Sequence, residues 1–105
     1  MKDIDTLEAQ FKAELVAALR RAANGRSPTL FSLKENRSRS SARRLRTKAE
    51  RIMELRQSYS VDHSEKSAAA CYLAACLKWE HGAATEKELV RKVAENLLHE
   101  LRHGA

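Results

Sequence analysis

The sequence predicts an all-α domain, a compact bundle of four main helices. Three observations carry that prediction. Apolar residues recur at three- and four-residue steps along most of the chain, the helical period. Only three glycines and one proline are present, too few for a turn-rich β fold. No segment alternates apolar and polar residues as a half-buried strand does. A chain of 105 residues can bury one modest core, so 1–105 is read as a single helical domain. The expected helices cover about 4–23, 41–58, 63–81 and 86–103, with a short helix or an ordered loop near 28–35.

The first helix runs from Asp3 or Asp5 to Ala23. Ile4, Leu7, Phe11, Leu15, Ala18, Leu19 and Ala22 repeat at the helical period. Asp3, Asp5 and Glu8 stand early and Arg20 and Arg21 late, as the helix dipole favours. Asn24-Gly25 stops the helix, because glycine can take the left-handed cap. Ser27-Pro28 then reads as an N-cap with proline at the first helical position, and Leu30, Phe31 and Leu33 would pack down behind it.

Residues 36–41, NRSRSS, contain no apolar side chain and read as an exposed basic hinge. The second helix follows from about Ser41 to Ser58. Leu45, Ala49, Ile52 and Tyr59 lie within about 80° of one another on a helical wheel. Arg44, Lys48 and Arg51 form a ridge beside that stripe and are expected to project away from the core.

Asp62-His63-Ser64-Glu65 fits a capping box and places the third helix at 63–81, ended by Gly82. Its segment AAACYLAACL is apolar on every face, which predicts a central helix. Thr85-Glu86-Lys87-Glu88 is a second capping box and opens the fourth helix, whose Leu89, Val90, Val93, Leu97, Leu98 and Leu101 make a wide apolar face. The short Gly82–Ala84 connection makes the third and fourth helices an antiparallel hairpin.

Charge is the most informative functional signal. Between Arg37 and Arg56 stand eight cations (Arg37, Arg39, Arg43, Arg44, Arg46, Lys48, Arg51 and Arg56) against Glu50 and Glu54. That excess of six equals the net charge of the whole chain, and elsewhere twelve cations meet twelve carboxylates. A concentrated basic element on a neutral body focuses potential toward phosphate or an acidic partner. Seven of the eight cations are arginine, whose planar fork bonds phosphate oxygens in pairs and stays charged. The expected partner is therefore nucleic acid, DNA or RNA, met mainly through phosphate contacts by Arg37, Arg39, Arg43, Arg44, Arg46, Lys48 and Arg51. The alternative is a helical adaptor, chaperone or anti-factor docking on an acidic protein surface. The competing structural explanation is a solvated face, with Arg46 on Glu50, Arg51 on Glu54, and the other cations on acids of the first or fourth helix.

His99-Glu100-Leu101-Arg102-His103 matches the H-E-x-x-H pattern of zinc proteases, which sets two imidazoles one helical turn apart. The pattern needs a third ligand, and only two residues follow it, so His63, His81, Cys71, Cys76 or a carboxylate would have to serve. His99 and His103 are thus weak metal candidates, and a polar helix end explains them as well. No Gly-rich phosphate loop or nucleophile elbow is present, so neither an enzyme nor a cofactor is expected.

Cys71 and Cys76 would lie about 140° apart on one helix and cannot bond to each other. Unpaired thiols fit a reducing compartment. The N-terminus lacks a secretory pattern, and the longest uncharged apolar run, Ala68–Leu77, is too short to span a bilayer. A cytoplasmic protein without membrane contact is expected. Five aromatic residues make a thin core, which leaves room for a homodimer or a protein partner.

Overall fold

The computed structural model describes residues 2–24, 30–31, 41–58 and 67–103. They form four helices: α1 (Lys2–Ala23), α2 (Ser41–Ser58), α3 (Ala68–Glu80) and α4 (Glu86–His103). No strand occurs among the described residues. The expected bundle is therefore what the chain builds, and no helix among the described residues is long and apolar enough to cross a membrane.

Each helix turns one apolar stripe inward. Phe11, Leu15 and Ala18 of α1 meet Leu45, Ala49 and Ile52 of α2, Tyr72 and Cys76 of α3, and Leu89, Val93 and Leu97 of α4. The seams α1–α2, α2–α3 and α3–α4 are the extensive ones, with α1 also touching α3 and α4. The order of contacts in the α3–α4 seam is antiparallel: Ala68 bonds Glu100, while Lys78, ten residues on, adjoins Lys92. The α1–α2 pair is antiparallel as well, since Arg44 meets Glu14 and Arg56 meets Glu8.

Tyr72 stands at the centre of this core with no exposed surface. Its ring meets Phe11 edge-on and Phe31 at a tilt, each with centroids 5.8 Å apart. Its hydroxyl donates to Leu30 O at 2.7 Å and lies 3.3 Å from Ala42 O. Leu30 and Phe31 are buried and adopt a bend, so these two residues are not helical. Leu30 N–H also donates to Glu86 Oε1 at 3.3 Å, which ties the inter-helix segment to the start of α4. The rest of the short helix expected near 28–35 lies outside the described residues.

Helix ends follow local chemistry, with one correction. The Thr85 capping box forms in both directions: Glu88 N–H donates to Thr85 Oγ1 at 3.2 Å, and Thr85 N–H to Glu88 Oε2 at 3.4 Å. Gly82 (φ +64°) closes α3: its own N–H reaches Trp79 O and the next residue's, Ala83, reaches Lys78 O. The start of α3 is later than expected. Ser67 is extended (φ −67°, ψ 148°) and its Oγ accepts from Ala70 N–H at 3.2 Å, so the helix begins at Ala68. A serine hydroxyl one residue ahead of a run of alanines outcompetes continuation of the helix through it. The capping box expected at Asp62–Glu65 lies outside the described residues.

Helix α3 touches all three other helices, as a central helix should, but its apolar surface exceeds their reach: Ala74 and Leu77 are exposed and Leu73 is half-buried. Neighbours cover the Tyr72 and Cys76 side and leave an outer strip open.

Burial of Cys76 has a measurable consequence. Desolvation pushes its thiol from the ordinary 9.0 up to about 11. Burial raises the Tyr72 hydroxyl too. Both groups are held in their neutral forms, so the stability they contribute is intact below pH 9 and is lost as pH rises toward and past 11. At pH 10.5 the Cys76 share is about 2 kcal/mol. Urea unfolding at pH 8 and pH 10.5 should show the wild type losing about 2 kcal/mol more than Cys76→Ala. Equal losses would show that the thiol is not held neutral.

Candidate nucleic-acid interface

The structure divides the cations of the basic segment into two groups. Arg46, Lys48 and Arg56 turn inward along the seams of α2; for Lys48 this corrects the expectation that it projects from the ridge with Arg44 and Arg51. Arg56 Nε lies 2.7 Å from Glu8 Oε1 of α1, and both side chains are more than four-fifths buried. Arg46 joins Glu50 of its own helix to Glu80 of α3. Its pKa, already high, is raised further by the Glu80 hydrogen bond. Lys48 Nζ sits 3.0 Å from Glu14 Oε2, an ion pair out of hydrogen-bond alignment. Their long aliphatic stems cross the helix seams while the charged ends find carboxylates at the edge. The structural explanation for the basic segment therefore accounts for these three, and it also covers Arg44 and Arg51, whose pairs with Glu14 and Glu54 form at the surface.

Arg43, Arg44 and Arg51 form the second group. All three stand on the exposed side of α2. Arg44 bonds Glu14 at 2.9 Å and Arg51 reaches Glu54 at 3.4 Å, with both arginine side chains at least 60% exposed. Arg37 and Arg39 lie outside the described residues, as does the hinge 36–41 apart from Ser41, which is the first residue of α2.

A further basic residue joins this group from α1. Arg21 and Arg44 line one small cleft of about 110 Å³ with Glu14, Ala17 and Leu45. The antiparallel α1–α2 pairing brings the last turn of α1, which carries Arg20 and Arg21, beside the first turn of α2. Sequence reasoning assigned those two residues to the helix dipole alone. The available signal was their place just before a connection that returns to the basic segment. The result is a surface where Arg21 and Arg44 meet from two helix ends.

The H-E-x-x-H match resolves differently. Glu100 accepts from Ala68 N–H at 2.9 Å and pairs with Lys12 at 3.5 Å, so it anchors the start of α3. His99 is exposed, and the side chain of His103 lies outside what is described. Among the described residues no three histidine, cysteine or carboxylate groups gather to hold a metal ion. Cys71 and Cys76 are free thiols on α3, and burial raises both pKa values, which leaves them weak nucleophiles near neutral pH. Comparison with family models, with curated proteins and with solved structures finds no match.

Proposed function

We propose that this protein is a small non-enzymatic regulator that binds nucleic acid through the α1–α2 corner. The observation that carries the reading is the exposed group Arg43, Arg44 and Arg51, with Arg21 sharing the Arg44 cleft. Arg37 and Arg39, outside the described residues, are proposed to add phosphate contacts. The ion pairs at Arg44 and Arg51 are solvent-exposed and worth at most about 1 kcal/mol each, so a phosphate can displace them at small cost. The inward pairs of Arg46, Lys48 and Arg56 hold α2 in place as a platform.

Five phosphate contacts would give a slope of log K against log salt near −4.5 on B-DNA, at about 0.9 per phosphate. Fluorescence anisotropy with labelled duplex DNA, single-stranded DNA and structured RNA over a salt series measures it. The Arg43→Gln, Arg44→Gln, Arg51→Gln triple variant should flatten the slope by about 2 to 3 and weaken binding to every ligand. A slope near zero in the wild type would remove the reading.

One observation favours a second reading. Leu98 and Leu101 of α4 are both more than half exposed, so the apolar face of α4 exceeds what its neighbours cover. An adaptor would use that face. Leu98→Glu with Leu101→Glu should then abolish capture of a protein partner while leaving nucleic-acid affinity unchanged. Capture that survives the double change would remove this second reading.

A further inference from the structure

A groove of about 410 Å³ runs between α3 and α4, walled by Ala70, Cys71, Ala74 and Leu89. At one end stand Lys78 and Lys92. Both line the same groove, and Lys78 has its pKa lowered by the neighbouring Lys92. Among the described residues neither lysine is in an ion pair with a carboxylate. Two like charges on one groove, neither so paired, repel in the free protein. They become favourable when an anion arrives.

The walls say what kind of anion. Ala70, Ala74 and Leu77 are spaced i, i+4, i+7 along the outer side of α3, where Ala70 is half-buried and Ala74 and Leu77 are exposed. Alanine at successive turns lets a second helix approach to the short end of the usual interaxial range, about 8 Å. The groove is apolar and open along its length, with cations at one edge.

The larger groove between α1 and α4, about 660 Å³, offers no such signal. Its Lys12 is paired with Glu100 and its Glu8 with Arg56.

We propose that the α3–α4 groove is a docking site for an amphipathic helix of a partner protein, whose small apolar stripe packs on Ala70 and Ala74 and whose flanking carboxylates meet Lys78 and Lys92. The site is independent of the arginine surface at the α1–α2 corner. It carries the opposite division of labour: burial supplies affinity and the two lysines supply sign selectivity.

Cys71 provides the readout, since it lines the groove while Cys76 is buried. Two synthetic helical peptides share one Ala/Leu stripe; one has Glu flanks and the other Lys flanks. The rate of Cys71 alkylation is followed by mass spectrometry at mildly alkaline pH. The Glu-flanked peptide at saturation should slow alkylation about tenfold or more, and the Lys-flanked peptide should not. Lys78→Glu with Lys92→Glu should reverse that preference. Both lysines are exposed, so unchanged far-UV circular dichroism and urea midpoint are expected for the double variant. Equal protection by both peptides, protection by neither, or protection that rises with protein concentration alone would overturn the proposal. The last outcome would assign the groove to a second copy of the chain.

Discussion

Tyr72→Ala is expected to be the most damaging single substitution in this protein, lowering stability by about 3 to 5 kcal/mol. The side chain is fully buried and touches aromatic rings from α1 and from the segment before α2. Truncation to the β-carbon leaves a cavity bordered by Phe11 and Phe31. It also leaves the Leu30 carbonyl without the 2.7 Å donor that it has now. One hydroxyl proton cannot fully serve two carbonyls, so the 3.3 Å approach to Ala42 O is the minor contact. Tyr72→Phe separates the two parts of the loss. It keeps the ring packing and should cost about 1 to 2 kcal/mol for the unmade hydrogen bond. A domain of this size is stable by about 5 to 15 kcal/mol in all, so the alanine variant approaches the unfolding threshold at 37 °C. Urea titration would show the loss as a fall in midpoint at unchanged slope. A Tyr72→Ala loss under 1 kcal/mol would mean that Tyr72 is not the centre of the core.

The role of Tyr72 shows where sequence legibility ends. Periodicity says which residues share a face, and the inward stripes of α1, α2 and α4 follow from it directly. It does not say which face meets which. Tyr72 reads in the chain as one apolar residue in AAACYLAACL, and only folding places Leu30 and Ala42 within reach of its hydroxyl. The same division runs through the electrostatics. Arg46–Glu50 and Arg51–Glu54 are legible because the helix pitch alone sets their separation. Arg56–Glu8, Arg46–Glu80 and Lys48–Glu14 are not, because each needs the helix packing first. Caps behave likewise. Thr85 and Glu88 satisfy each other across one turn, whereas Glu100 reaches the start of α3 from another helix. The cover of α3 is not legible either. Apolarity on all sides marks a helix that wants neighbours all round, and the other elements cover only part of it. Part of that excess, at Ala74, lines the proposed docking groove.

Arg56→Gln and the Arg43, Arg44, Arg51 triple change should have opposite signatures, although each removes cations from the same twenty-residue segment. Arg56 and Glu8 are mostly buried together, with side-chain exposures of 15% and 19%. Removing the guanidinium leaves the Glu8 carboxylate desolvated beside a poorer donor, at a cost of about 2 to 3 kcal/mol, below the value for a fully buried pair because some solvent still reaches it. Glu8→Gln with Arg56→Gln should recover part of that loss, since no charge is then stranded. The exposed arginines are different. Their pairs with Glu14 and Glu54 are screened and worth at most about 1 kcal/mol each, so the triple change should cost less than Arg56→Gln. Nucleic-acid affinity should divide the other way, falling steeply in the triple variant and little in Arg56→Gln. Urea midpoints and anisotropy on the same preparations test both halves together. Equal losses of affinity would mean that overall charge attracts the ligand and that no particular surface receives it. A triple variant as unstable as Arg56→Gln would mean that the exposed cluster holds the fold together, and the α1–α2 corner would lose its claim to a ligand. Net charge alone cannot make this distinction, because it counts an arginine held by a buried carboxylate and one facing water as the same.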